Sequence, residues 1–197
     1  MEFILASNNE KKLRELREIL SAQGHRVISQ KEAGLDFVVA ETGNSFLANA
    51  RLKAQAVVDA TGQVAIADDS GLCVEALGGA PGVDSAIYGG PALTTDAQRT
   101  AYLLQNLEGR SDRRAYFVST IVCAFPDGRE IIAQGRVDGE ILRETSGQGG
   151  FGYDPVFYLP ELGKSFAQLT PEEKNQISHR GQALQGFKKQ WEKLEQS

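Results

Sequence analysis

Short apolar runs alternate with amphipathic segments along the chain, and this alternation is typical of α/β proteins. Runs rich in apolar and β-branched residues predict strands at 3–6, 26–29, 64–67, 72–76 and 156–159. Apolar residues at every third or fourth position predict helices that begin near residues 10, 46, 96 and 171, and a last amphipathic helix that ends near 194. Two β-rich segments, 115–125 and 130–141, flank a Pro-Asp-Gly turn and predict a hairpin. The predicted fold is therefore α/β, with a mixed central sheet flanked by helices.

Two of the predicted helices begin with capping signals. Thr95 and Gln98 have the spacing of a capping box, and Thr170 precedes a proline that suits the first helical position. In the helix after Thr95, the apolar face is predicted to consist of Ala97, Ala101, Leu104 and Leu107.

The most informative stretch is 64–71, where an apolar run meets Asp68, Asp69, Ser70 and Gly71. Ligands of open α/β sheets bind beyond the carboxyl ends of the strands, so chemistry is expected here. Successive side chains of a strand alternate in direction, so one aspartate can face a ligand while the other anchors the turn. Paired carboxylates can hold Mg²⁺ or activate a water, and a plain polar turn is the alternative interpretation.

Two further groups of polar residues lie at or after the starts of predicted helices. Lys11 and Lys12 fall in the first turn of a helix, where the helix dipole disfavours cations and free N–H groups favour an anion. The two lysines therefore indicate a bound anion, and two solvated lysines are the alternative interpretation. Ser45, Asn49 and Lys53 recur at every fourth position and therefore share one face of the next helix. Glu41 comes shortly before that helix, so the pattern gathers a carboxylate, an amide and an amine.

Length and charge bound the class of protein. The 197 residues fit a single domain, 1–197, and the net charge of −5 without a basic run disfavours a nucleic-acid partner. No apolar stretch has the length of a membrane span, and the first residues lack the basic lead of a signal peptide, so we predict a cytoplasmic protein without a membrane partner. Cys73 and Cys123 lie in apolar stretches and are predicted to be buried, reduced thiols.

The segment 147–152 matches GxGxxG in letter, but Asp154-Pro155 and a predicted strand follow it instead of a helix. A dinucleotide site is therefore disfavoured, and no phosphate-binding P-loop motif is present.

Five short motifs together resemble those of the inosine/xanthosine triphosphate pyrophosphatases, which hydrolyse non-standard purine nucleoside triphosphates. The motifs are Ser7-Asn8-Asn9-x-x-Lys12, Glu41-Thr42-Gly43, Asp68-Asp69-Ser70-Gly71, Gly149-Gly150-Phe151-Gly152-Tyr153-Asp154-Pro155 and Ser178-His179-Arg180. They occur in matching order over nearly the whole chain. The resemblance implies a two-lobed fold with the active-site cleft between the lobes, usually assembled as a homodimer. It also implies Mg²⁺-dependent cleavage of ITP, dITP or XTP between the α and β phosphates.

The resemblance assigns a role to each matching residue. Asp69 is expected to accept the proton of the attacking water, and Glu41 and Asp69 are expected to hold Mg²⁺. Asp68 is expected either to be a further metal ligand or to fix the turn. The expected substrate-binding residues comprise the phosphate contacts, the neighbour of Asp69 and the base pocket: Ser7, Asn8, Asn9, Lys12, Lys53; Ser70; and Phe151, Gly152, Tyr153, Asp154, Lys174, His179, Arg180.

Base selection has a simple chemical interpretation. Hypoxanthine presents an N1–H donor beside an O6 acceptor, whereas adenine presents the reverse pattern. A carboxylate at Asp154 could accept from N1–H while Arg180 or backbone N–H groups donate to O6, with Phe151 as the stacking platform. Adenine would then leave buried polar groups unpaired. Asp154→Asn is accordingly predicted to reduce discrimination against ATP.

One position departs from the family pattern, because several bacterial relatives carry Glu where this chain has Ala48.

Three other functions remain as alternatives. The first is a pyrophosphatase acting on modified pyrimidine triphosphates, and the second is a nucleotide-binding module without catalysis. The third, an NAD(P)-dependent oxidoreductase, rests on the misplaced glycine motif alone.

Overall fold

The computed structural model describes residues 1–22 and 24–196, and within them the chain forms seven strands and five α-helices. In chain order the elements are β1 (Glu2–Leu5), α1 (Glu10–Ser21), β2 (Arg26–Ser29), α2 (Phe46–Thr61), β3 (Ala65–Val74), α3 (Asp96–Asn106), β4 (Arg114–Ala124), β5 (Glu130–Ile141), β6 (Phe157–Leu159), β7 (Lys164–Ser165), α4 (Pro171–Ile177) and α5 (His179–Glu195). In this described part of the chain, no helix is both long enough and apolar enough to cross a membrane.

All seven strands belong to one sheet, in the order β2-β1-β3-β4-β5-β6-β7. β1 runs parallel to both β2 and β3, whereas β6 runs antiparallel to β5 and to β7. The prediction of an α/β fold with a mixed sheet is confirmed. β4 and β5 lie side by side at the positions predicted for the hairpin.

The prediction of a strand break at 68–71 is wrong, because β3 runs without interruption from Ala65 to Val74. Polar residues end a strand when their most favourable hydrogen bonds are with water. Here Asp68 and Asp69 are both buried and have charged partners inside the protein. The polarity of this stretch therefore belongs to a site within the strand.

A second correction concerns the buried face of α3. The capping box formed by Thr95 and Gln98 is present as predicted. Leu107 is buried and Leu104 packs against the same core, as predicted. Thr100 and Leu103 are buried as well, whereas the predicted Ala97 and Ala101 are exposed. Leucine outweighs alanine in the free energy of burial, so the face with Leu103 turns inward.

The chain divides into two compact units, each with its own core. The first unit comprises 1–69, 119–135 and 180–197, and the second comprises 70–118 and 136–179. In the first unit, alternate residues of β1 serve two apolar clusters: Phe3 and Leu5 pack with α1 and α5, and Ile4 packs with α2. The core of the second unit gathers α3 with apolar residues of β3 to β6, including Leu72, Leu103 and Phe157.

The two cysteines are buried thiols, as predicted, and neither forms a disulfide. Burial raises the pKa of the Cys123 thiol to about 12. The thiol is therefore protonated at neutral pH and is not a nucleophile.

Candidate active site

Asp68 is fully buried and is surrounded by positive charge within the first unit. Its Oδ2 accepts hydrogen bonds from Arg180 Nε at 3.2 Å and Nη2 at 3.0 Å, and it lies 3.0 Å from Lys12 Nζ. Its Oδ1 accepts from Ser119 Oγ at 2.6 Å. Burial opposes ionisation, but the charges of Arg180 and Lys12 outweigh it and hold the pKa of Asp68 well below its usual range. Both oxygens of this carboxylate are thus used by protein groups.

Asp69 has a different environment. Its Oδ1 accepts from Lys53 Nζ at 2.7 Å. Its Oδ2 is buried and accepts no hydrogen bond from residues 1–22 or 24–196. Burial raises the pKa of Asp69, and the positive charge of Lys53 offsets this effect only in part. A buried carboxylate oxygen without a donor is suited to accept a proton or to bind a cation.

Lys53 connects the carboxylates of this site. Its Nζ donates to Asp69 Oδ1, to Glu41 Oε1 at 3.0 Å and to the Asp68 carbonyl oxygen at 3.1 Å, which accounts for the three protons of an ammonium group. Burial disfavours the charge, but Asp69 and Glu41 outweigh burial and raise the pKa of Lys53. Lys53 is therefore a fixed cation at neutral pH.

The loop that carries Glu41 is attached to α2 by Asn49. The buried Asn49 side chain accepts from the Gly43 N–H at 2.8 Å through Oδ1. A Cβ on Gly43 would lie 2.7 Å from that oxygen and 2.7 Å from the Cβ of Ala48, so only glycine fits without displacement. One turn after Asn49, Lys53 reaches Glu41. The face predicted from the spacing of 45, 49 and 53 thus holds the Glu41 loop against the helix.

The predicted phosphate-binding turn precedes α1. Asn9 caps this helix, and its Oδ1 accepts from the N–H groups of Lys11 and Lys12. The Ser7 hydroxyl accepts from the Asn9 N–H at 3.1 Å, and Asn8 is exposed. Lys12 contributes its ammonium group to the surroundings of Asp68.

In the second unit, three predicted base-pocket residues come together. Asp154 is buried, and its Oδ2 accepts from the Phe151 N–H at 2.8 Å and from Lys174 Nζ at 2.8 Å. Lys174 Nζ also lies 4.7 Å from the centroid of the Phe151 ring. Gly150 has a φ of +71°, and a Cβ there would lie 2.1 Å from Asp154 Oδ2, so this glycine permits the turn.

The other predicted base-pocket residues have separate surroundings. Tyr153 donates its hydroxyl to the Ser85 carbonyl at 2.8 Å, and burial raises its pKa. His179 stacks on Phe117, with the ring centroids 4.7 Å apart. Arg180 belongs to the first unit and pairs with Asp68 and Glu15. Its predicted contact with the base stays a prediction, as do the predicted roles of the half-buried Ser70 and of the exposed Glu41.

Two contacts of the site could not be predicted from the sequence. One joins Ser119 to Asp68, and the other joins Glu15 to Arg180. These partners are 51 and 165 residues apart in the chain, and neither Ser119 nor Glu15 lies in a recognisable motif. Glu15 lies on α1, and local periodicity gives no sign of an arginine partner that is so distant in the chain.

A sequence model of the Ham1 family matches residues 3–190. The chain belongs to the Ham1 family. A dITP/XTP pyrophosphatase of Thermus thermophilus is 49% identical over 190 residues, which cover 95% of this chain and 90% of the relative. A second dITP/XTP pyrophosphatase, from Desulforamulus reducens, is 49% identical over 186 residues, which cover 93% of this chain and 92% of the relative.

Solved structures of Ham1 proteins have the same fold. The Staphylococcus aureus Ham1 protein matches with a TM-score of 0.88 and 43% identity, covering 98% of each chain. A HAM1 protein from Coxiella burnetii matches with a TM-score of 0.89 and 42% identity, covering 98% of this chain and 99% of the other. The family membership inferred from five short motifs is confirmed.

Proposed function

We propose that this Ham1 family chain hydrolyses non-standard purine nucleoside triphosphates, namely ITP, dITP and XTP, to the nucleoside monophosphate and pyrophosphate. The observation that carries the proposal is the buried Asp69 Oδ2, which accepts no hydrogen bond from the described residues and belongs to a carboxylate paired with Lys53. The names of the relatives from Thermus thermophilus and Desulforamulus reducens support the same activity.

The proposed chemistry begins with a water that attacks the triphosphate and loses a proton to Asp69 Oδ2. The raised pKa of Asp69 makes it a better proton acceptor than an ordinary aspartate. A bond forms between the water oxygen and the α-phosphorus. The bond between the α-phosphorus and the oxygen that bridges the α and β phosphates breaks, and pyrophosphate leaves. Lys53, held as a cation, and Lys12 reduce the repulsion between the polyphosphate and the incoming nucleophile.

A divalent cation fits this set of donors. Mg²⁺ retains several waters and needs only one or two protein carboxylates, so Asp69 and Glu41 would suffice to hold it. No group of three His, Cys, Asp or Glu side chains suited to a metal occurs in residues 1–22 and 24–196, and Asp68 is already paired with Arg180 and Lys12. When bound, Mg²⁺ would neutralise phosphate charge and stabilise the leaving pyrophosphate.

For the base, we propose that the Phe151 ring is the stacking platform and that Lys174 donates to O6 of hypoxanthine or xanthine. Asp154 holds both groups, since it accepts from the Phe151 N–H and from Lys174. Adenine carries an amino group at that position, which offers no acceptor to the ammonium group and places a donor against it. Asp154→Asn should therefore weaken discrimination against ATP, whether the carboxylate contacts N1–H itself or holds the groups that contact the base.

The test is pyrophosphate release from ITP, XTP, dITP, dUTP, GTP and ATP, each with and without Mg²⁺. Turnover of ITP, XTP and dITP that requires Mg²⁺ and spares GTP and ATP is the expected result. Preference for dUTP would favour a pyrimidine-directed enzyme. Tight ITP binding without pyrophosphate release would contradict catalysis. We also propose, on the basis of the family resemblance, that the chain forms a homodimer. Sedimentation would test this assembly.

A further inference from the structure

The segment that carries the proposed base contacts, residues 147–154, is rich in glycine. Gly147, Gly150 and Gly152 all have positive φ values, and glycine loses more backbone entropy on ordering than any other residue. A recognition site needs its donors and acceptors in fixed positions, because discrimination between similar bases depends on groups that cannot rearrange to suit the wrong one. Contacts from outside the segment must therefore hold it.

Helix α3 supplies such contacts to Gly152. Asp96, the first residue of the helix, accepts from the Gly152 N–H through Oδ2 at 2.9 Å. Thr100 lies one turn later and donates its hydroxyl to the Gly152 carbonyl at 3.3 Å. Both the N–H and the C=O of this glycine are thus held by one rigid element of the second unit.

The Asp96 carboxylate is itself held in place. Arg99 Nη2 donates to Asp96 Oδ1 at 2.8 Å, and its Nη1 donates to the Leu93 carbonyl at 2.8 Å. Hydrogen bonds to an ionised carboxylate are stronger than those between neutral groups, and Asp96 uses one oxygen for Arg99 and the other for Gly152. The helix start beneath it is fixed by the capping box of Thr95 and Gln98.

We propose that Asp96 is a positioning residue that sets base discrimination, a role that rests on the function proposed above. Gly152 immediately follows Phe151, the proposed stacking platform, and lies two residues before Asp154. Holding the Gly152 backbone therefore sets the Phe151 ring and the Asp154–Lys174 pair relative to one another. Asp96 acts through Gly152 and takes no part in the chemistry.

A positioning role should affect discrimination between ITP and ATP more than the turnover of ITP. The proposed proton acceptor, Asp69, is held by Lys53, and Asp96 and Gly152 take no part in that contact. Loss of the Asp96 contact should thus raise KM for ITP and lower the ratio of kcat/KM between ITP and ATP by about tenfold or more, the scale of one charge-assisted hydrogen bond. The value of kcat for ITP should change much less than this ratio.

The experiment compares Asp96→Ala with Asp96→Asn, whose amide oxygen can still accept from the Gly152 N–H. The matched control is Asp112→Ala, because Asp112 is also an aspartate of the second unit that accepts from a backbone N–H and pairs with an arginine, Arg114. Measurements are kcat and KM for ITP and ATP, and hydrogen exchange of the Gly152 amide by NMR. We expect faster Gly152 exchange and lost discrimination in Asp96→Ala, substantial rescue in Asp96→Asn, and no change in Asp112→Ala.

Three results would overturn the inference. They are unchanged Gly152 exchange in Asp96→Ala, faster exchange with an unchanged ITP/ATP ratio, and an equal loss of kcat for both nucleotides. If the wild type releases no pyrophosphate, the proposed catalytic function has failed. The positioning role is then judged by the ratio of dissociation constants for ITP and ATP in the same variants. A wild type that binds neither nucleotide overturns both proposals.

Discussion

Asp68 and Asp69 are neighbours on β3, yet their surroundings have opposite effects on a carboxylate. Around Asp68, Arg180, Lys12 and Ser119 contact both oxygens, and the pKa lies well below its usual range. Around Asp69, Lys53 contacts one oxygen, the other has no donor among the described residues, and the pKa is raised. The two carboxylates are therefore suited to different roles. A fully paired, strongly acidic carboxylate stabilises structure, whereas a partly paired one with a raised pKa can accept a proton.

The strongest way to test this contrast is to remove the Asp68 carboxylate. Asp68→Ala leaves Arg180 buried beside Glu15 without its second carboxylate, and breaking a buried ion pair costs about 3–5 kcal/mol of unfolding free energy. Urea unfolding should report this loss. A variant as stable as the wild type would show that the Asp68–Arg180 pair is not structural.

Asp69→Asn should have its main effect on turnover. The amide keeps the shape of the side chain but cannot take a proton, so kcat should fall about 100-fold or more, the scale of a positioned base. Pyrophosphate release from ITP measures this, with circular dichroism as a check on folding. Near-normal turnover would exclude Asp69 as the proton acceptor.

Lys53→Gln should shift the pH dependence of activity. The acid limb of kcat/KM is expected above the ordinary aspartate pKa of about 3.9, because burial raises the pKa of Asp69. Lys53 lowers that pKa, so its removal should move the limb to still higher pH. Lys164→Gln is the control, since Lys164 is an exposed lysine near Glu173. A limb that stays in place, or moves to lower pH, would contradict the assignment.

The smallest expected effect is on the pH dependence of stability, where the two aspartates contribute with opposite signs. The depressed pKa of Asp68 adds stability that is present above its unfolded value and lost as pH falls through the folded one. The raised pKa of Asp69 has the reverse effect, because its ionised form costs stability as pH rises.

Asp69→Asn should therefore lose stability more steeply than the wild type as pH falls from about 6 to about 3, since the opposing contribution of Asp69 is gone. Urea unfolding over this range measures the two slopes. A shallower slope in the variant would reverse the sign assigned to Asp69.

Much of the fold follows from local pattern. The bounds of β2 and the start of α2 agree with the apolar periodicity, and the capping boxes of Thr95 and Thr170 mark real helix starts. The pattern failed at 68–71, where polar residues inside a strand were interpreted as its end. Local sequence cannot tell a polar residue that faces water from one that faces a buried cation, since the cation of Arg180 lies 112 residues away.

The sequence by itself determined the class of chemistry, because five ordered motifs with their carboxylates, lysines and glycines identified the family before any contact was known. Only the tertiary structure decided how the surroundings of the two aspartates differ. Asp68 and Asp69 are the same residue type on adjacent positions, and the alternation of a strand indicates only that they face opposite ways. Their pKa values depend on burial and on charges brought in by α1, α2 and α5, and that arrangement exists only once the chain is folded.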